Sequence, residues 1–330
     1  MKDFVRRSNL LVPVASANTA LLLDWSLEDE GSEPWRHTPD AVTLDLEDGV
    51  PPARKAEARA LVKEAISLAG RDASEVFVRV NKAYLHADLE ASIWPGLTGI
   101  MLPKIERADD VAQASGLVEE MERRRGIEVG SLELIAFVES ALGVWNVREI
   151  ITASPRVTQV ALGESGLSCT LGIAPLFYSG IEVACGQGEG YDPFVYTRGR
   201  IVIEGTAAGV QPVGMAYPLG SLPALSPRDE LLRLATVAKN LGFKGVICPG
   251  EKTWVEPVNT AFTPTSELVE YYTRVREVFA QAVAAGTAAV PFHGRMIDVP
   301  VDEWAKVVLK LAALCKARDD EKRRALERES

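Results

Sequence analysis

The chain has 330 residues, 47% of them hydrophobic, which is enough apolar material for a full core and excludes an intrinsically disordered chain. Its formal charge of -10 and pI near 5.1 exclude a general binder of nucleic-acid backbones and leave room for a local basic pocket. No run approaches the roughly 20 apolar residues of a membrane span, and the polar opening Met-Lys-Asp-Phe-Val-Arg-Arg lacks a signal-peptide core, so a cytoplasmic protein is expected.

In chain order, short apolar runs predict eight strands, at 9–14, 41–46, 76–80, 99–103, 132–138, 157–162, 211–217 and 245–248. Helical spacing falls between them, as at 107–125, where Val111, Ala114, Val118 and Met121 recur on one face, and at 227–241 before Gly242. Eight βα units in about 250 residues predict a (β/α)8 TIM barrel, with an open doubly wound sheet as the alternative. Two further helices are expected at 264–285 and 301–318, separated by a Gly/Ala/Pro stretch at 284–291 read as a hinge or long connection. The domain division is therefore 1–263 for the barrel and 264–330 for a helical extension suited to packing on a neighbouring subunit. The charged tail 316–330 is expected to be a frayed, solvated helix.

Cys169, Cys185, Cys248 and Cys315 show no paired metal spacing, and His37, His86 and His293 lie far apart. A histidine zinc site or a Ser-His-Asp triad has little material here. Cys248, at a strand end, is read as a small buried residue, and Trp145 and Trp254 as packing residues. In a parallel barrel the catalytic face lies at the carboxyl ends of the strands. Those ends bear Asp45, Glu47 and Asp48 after strand 2, Arg79 and Asn81 at strand 3, Lys104 and Glu106 after strand 4, Glu139 and Ser140 after strand 5, and Glu164 after strand 6. Carboxylates with one arginine suit an oxygen-loving divalent cation such as Mg²⁺ and an oxo-acid whose carboxylate Arg79 grips. Lys104 reads as a charge-balancing neighbour of the acids rather than a Schiff-base nucleophile.

Six motifs carry a resemblance to a known family: Arg7-Ser8-Asn9-Leu10-Leu11-Val12-Pro13; Leu44-Asp45-Leu46-Glu47-Asp48 with Lys55 and Arg59; Val78-Arg79-Val80-Asn81; Met101-Leu102-Pro103-Lys104-Ile105-Glu106; Glu139-Ser140-Ala141-Leu142-Gly143; and Gly294-Arg295-Met296-Ile297-Asp298. The chain resembles the HpcH/HpaI aldolase and citrate lyase β-subunit superfamily, nearest its citrate-lyase-β-like branch. The resemblance implies a TIM barrel performing Mg²⁺-assisted Claisen- or aldol-type cleavage of a hydroxy-acid or its CoA thioester, in a homotrimer or hexamer whose C-terminal helices reach a neighbour. It implies Arg79 as the substrate-carboxylate arginine, Glu139 as a metal ligand, and Glu47 and Asp48 as acids orienting water, metal or substrate. The expected catalytic set is thus Arg79, Glu47 and Asp48, and the substrate-binding set is Arg79, Asp45, Asn81 and Lys104.

The departures bear on the metal. Gly166 stands where the family carries its second metal acid, and Glu164 is the candidate substitute, because in an extended segment positions 164 and 166 face the same way. Leu219-Gly220 after Tyr217-Pro218, and Cys248-Pro249, also differ from the family pattern and bear on CoA chemistry, and the stretch 25–37 lengthens the first connection. Two other readings stand beside the lyase. One is a metal-poor homologue that binds a carboxylate ligand or a partner, and the other is a thioester hydrolase using a carboxylate-activated water.

Overall fold

The computed structural model describes residues 4–14, 33–173, 194–215, 228–248 and 252–329. Residues 25–32, Cys185, Tyr217 to Gly220 and Pro249, on which some sequence expectations fall, lie outside the described residues.

Eight parallel strands close into a barrel in sequence order. They are β1 (Ser8–Pro13), β2 (Ala41–Asp45), β3 (Glu75–Arg79), β4 (Gly99–Leu102), β5 (Glu133–Val138), β6 (Val157–Leu162), β7 (Gln211–Met215) and β8 (Val246–Cys248). Pairing of β1 with β8, Asn9 opposite Ile247, completes the ring. The predicted TIM barrel is the observed fold, with strand limits within two residues of those read from the apolar runs.

Alternation along each strand divides the core in two. Phe77, Met101, Ile135 and Phe137 pack with one another inside the barrel. The intervening residues, such as Val42, Leu44 and Val78, pack outward against helices, among them Val62 and Ile66 of α1 (Lys55–Gly70). Gly99 is needed where strands crowd, because a Cβ there would lie 2.4 Å from the Glu133 carbonyl oxygen. At the N-terminal end of the barrel, Arg6 bonds Glu75 at 2.5 Å and Glu133 at 2.8 Å, and Thr158 donates to Glu133 at 2.7 Å. Those polar contacts belong to the stability face of the barrel.

The outer helices are α1, α2 (Leu85–Ser92), α3 (Ala108–Arg125), α4 (Ala141–Trp145), α5 (Val147–Thr152), α6 (Glu164–Leu171), α7 (Val195–Ala208), α8 (Arg228–Asn240) and α9 (Val255–Phe262). Beyond them run α10 (Ser266–Ala284) and α11 (Val299–Glu329). The stretch read as a hinge leads into an antiparallel hairpin, β9 (Val290–Phe292) and β10 (Arg295–Ile297), whose Ile297 packs with Val275, Phe279 and Ala305 of the two long helices.

The tail differs most from its reading. Lys322 is fully buried, its ammonium 2.5 Å from Asp40 and 2.8 Å from the Thr38 carbonyl oxygen. Asp319 pairs with Arg7 at 2.5 Å, and Arg7 forks onto Asp40 at 2.8 and 2.9 Å. The charged C-terminal segment is therefore anchored by ion pairs to the strand-entry end of its own barrel, a contact that charge patterning alone assigns to solvent.

Candidate active site

The register of β2 and β3 sets Asp45 opposite Arg79, side by side at the carboxyl end of the barrel. Asp45 accepts from Arg79 Nε at 2.7 Å and Nη2 at 2.6 Å, and also from the backbone N–H groups of Glu47 at 2.8 Å and Gly49 at 2.9 Å. Four donors satisfy both carboxylate oxygens, and the residue is buried. Asp45 thus holds Arg79 and shapes the turn that follows; in this arrangement it is a support for the guanidinium, not a ligand contact. Gly49 is required by that turn, since a Cβ would fall 2.6 Å from Asp45 Oδ2.

The fork leaves the opposite edge of the Arg79 guanidinium facing Glu47, whose Oε2 lies 3.3 Å from Nη1. Lys104 bonds the other oxygen of Glu47 and reaches Asp48 at 3.0 Å. Lys104 has a left-handed backbone, φ 53°, and its N–H donates to Glu139 Oε1 at 3.1 Å. Such a conformation is uncommon for a residue with a Cβ, and here it turns one residue's amide and ammonium toward three acids. The charge-balancing role read for Lys104 is the one its contacts describe.

Burial first, then the charge of Glu47, pushes the Glu139 carboxyl up to about 7, against the pull of Arg79. Glu47 is also raised, mainly by burial, with Arg79 and Lys104 opposing. Burial acts the same way on Asp48, but the Lys104 ammonium outweighs it and holds that carboxyl low. Asp45, Glu47, Asp48 and Glu139 against Arg79 and Lys104 leave two negative charges when all are ionised.

Two of the expected contacts are elsewhere. Asn81 directs both amide hydrogens inward, to the Leu46 carbonyl oxygen at 2.7 Å and to Asp88 at 2.7 Å, so no amide donor remains for a substrate. Glu164 opens α6 instead of lying in an extended segment, and its two oxygens accept from Arg198 Nε and Nη2, each at 2.6 Å. The geometric reason for pairing it with position 166 fails, because residues two apart on a helix diverge by roughly 200°. Gly166 itself lies against Glu139, where a Cβ would meet the Glu139 Cβ at 2.9 Å and Oε2 at 3.0 Å.

The supports missed from sequence are Lys55 and the Arg59–Asp88 pair. The Lys55 ammonium donates to the Leu46 and Glu47 carbonyl oxygens at 2.7 and 2.5 Å, fixing the turn that presents Glu47 and Asp48. Arg59 pairs with Asp88 at 2.9 Å, which in turn holds Asn81. Their signal was present in the Lys55 and Arg59 of the second motif, but spacing does not name a backbone carbonyl as the partner. Cys248 is fully buried and its thiol is raised by burial, in keeping with a packing role. Trp254 is also buried, whereas Trp145, expected to pack, is 71% exposed beneath Arg200.

Among the described residues, no group of three or more His, Cys, Asp or Glu side chains is gathered as a metal cage. The donor chemistry nonetheless fits a hard cation held mostly by other oxygens. Glu139 is buried and disfavoured as an anion beside Glu47, and a divalent ion would relieve that cost.

The acids and the forked arginine gather at the carboxyl end of the barrel, the face on which enzymes of this fold carry their catalytic residues. The chain belongs to the HpcH/HpaI aldolase/citrate lyase family, whose sequence profile matches residues 34–249. It is 31% identical over 315 residues to the citrate lyase subunit beta of Haemophilus influenzae, covering 93% of this chain and 97% of that one. To the L-malyl-CoA/beta-methylmalyl-CoA lyase of Cereibacter sphaeroides it is 30% identical over 292 residues, 84% and 89% of the two chains. In fold it is similar to CitE of Mycobacterium tuberculosis, solved in complex with magnesium, acetoacetate and coenzyme A, with a TM-score of 0.64, 24% identity, and coverage of 94% and 98%.

Proposed function

We propose that this lyase cleaves a hydroxy-acid, free or as its acyl-CoA thioester, with the substrate carboxylate on Arg79. The observation that carries this is the Asp45 fork, which fixes the guanidinium through Nε and Nη2 and leaves Nη1 outside it, beside Glu47. A guanidinium held in this way binds a carboxylate with two parallel hydrogen bonds and little loss of side-chain freedom. As the carbon–carbon bond breaks, the hydroxyl oxygen becomes a carbonyl, its proton passes to the Glu47–Asp48 pair, and the bonding electrons move into an enolate. Lys104 keeps that pair in place and balances its charge. Glu139 would hold Mg²⁺, which supplies Lewis-acid stabilisation of enolate charge when bound. The magnesium, acetoacetate and coenzyme A of the CitE complex support this choice of cation and substrate class. A cytoplasmic homotrimer or hexamer, with residues 264–330 packing on a neighbour, belongs to the same proposal.

Gly166 and the diversion of Glu164 to Arg198 favour a second reading, a metal-poor homologue that binds a carboxylate ligand without cleaving it. Calorimetric titration of Mg²⁺ and then Mn²⁺, with and without oxaloacetate or pyruvate, separates the two. The lyase reading expects cation binding that strengthens with the oxo-acid and is lost in Glu139→Ala. Absence of cation binding in every condition favours the second.

A further inference from the structure

Lys104 holds a left-handed backbone, φ 53°, a conformation that costs free energy for a residue with a Cβ and that glycine adopts freely. Its surroundings must hold it there. The Lys104 N–H donates to Glu139 Oε1 at 3.1 Å, and its carbonyl oxygen accepts from the Lys82 ammonium, also at 3.1 Å. Lys82 opens the turn Lys82–Tyr84 that follows β3, so one strained residue after β4 is gripped from the ends of β3 and β5.

Lys82 is itself anchored. Its ammonium pairs with Asp110 Oδ2 at 2.9 Å, and the same oxygen accepts from the backbone N–H groups of Glu106 at 3.0 Å and Arg107 at 3.1 Å. Asn146 donates to the Glu106 carbonyl oxygen at 2.9 Å, and the Ser140 hydroxyl to the Glu106 carboxylate at 2.7 Å. Residues 106 and 107 are thus pinned by groups other than Lys82, whereas the Lys104 carbonyl is held by its ammonium. The Lys82 side chain is 43% exposed, so replacing it removes little packing.

We infer that Lys82 is a positioning residue of this site. By holding the Lys104 carbonyl it keeps that residue left-handed, which aims the Lys104 N–H at Glu139 and its ammonium at Glu47 and Asp48. Partners that orient a metal-binding carboxylate from behind set its affinity for the metal. The role of Lys82 rests on the proposed function for the cation at Glu139, and it adds a control of that carboxylate from a different strand end.

Glycine at position 104 takes φ 53° without cost, so a Lys104→Gly background removes the need for Lys82 and separates positioning from stability. Calorimetry with Mn²⁺ is therefore run on the wild type, Lys82→Met, Lys104→Gly and the double variant, with hydrogen exchange at the Lys104 amide read in the first two. Lys82→Met is expected to weaken Mn²⁺ binding about tenfold and to speed that exchange, with the urea midpoint nearly unchanged. In the Lys104→Gly background the same substitution changes the affinity by less than about twofold. Equal weakening in both backgrounds, or unchanged exchange or affinity in Lys82→Met, overturns the inference and leaves the proposed function standing. Absence of Mn²⁺ binding by the wild type defeats the proposed function, and exchange at the Lys104 amide then decides by itself whether Lys82 holds Lys104.

Discussion

Glu139 sits where burial and the Glu47 charge both oppose ionisation, and its carboxyl is raised from 4.5 to about 7. Between those values the folded protein binds more protons than the unfolded chain, so this group's stability contribution is complete below 4.5 and is lost as pH rises to about 7. The difference approaches about 3 kcal/mol. Urea unfolding in cation-free buffer from pH 5 to 8 should show wild-type stability falling relative to Glu139→Gln, and parallel curves would rule this out. Residue identity at this scale was largely legible: Arg79, Glu47, Asp48 and Glu139 do meet in one mouth. Which acid holds Arg79 was not, because only the strand register brings Asp45 rather than its neighbours alongside the guanidinium. Asp45→Asn should weaken oxaloacetate binding about tenfold or more by freeing Arg79 to rotate, as read by calorimetry.

At the level of elements, α6 is where sequence reasoning met its limit. A strand end followed by Gly163 can continue extended or turn into a helix, and apolar periodicity over so short a segment does not choose between them. The helix carries Glu164 to Arg198 and presses Gly166 against Glu139. Restoring a side chain at 166 therefore meets an occupied position. Gly166→Ala and Gly166→Asp should each lower stability by about 1–3 kcal/mol, as overpacking does, measured by the urea midpoint. An unchanged midpoint for Gly166→Ala would show that Glu139 gives way freely. The β9–β10 hairpin was missed for a related reason, since its strands are three residues each and draw their stability from α10 and α11.

Across the whole molecule, the two ends of the chain are tied together below the barrel. Arg7 just before β1, Asp40 at the entry to β2, and Asp319 and Lys322 from α11 form a network of alternating charge, buried except at half-buried Asp319. Burial lowers the Lys322 ammonium to about 8 despite Asp40, so its charge depends on that partner staying in place. Lys322→Met removes one cation while Asp40 keeps Arg7. Breaking a buried pair from one side costs about 3 kcal/mol, which should appear in differential scanning calorimetry as a fall in Tm. A chain whose last helix were merely solvated would not respond.

The sequence by itself determined the barrel, its strand order and the set of acids and bases at its carboxyl end. Period-two apolar runs joined by helical segments have few ways to bury both faces, and the strand ends follow from that solution. Tertiary structure alone decided which charges pair. Asp45 supports Arg79, Glu164 is withdrawn by Arg198, and Lys322 closes on Asp40 because each partner lies 34, 34 and 282 residues away in the chain. Contacts at such separations are set by register and packing, which no local pattern of residues records.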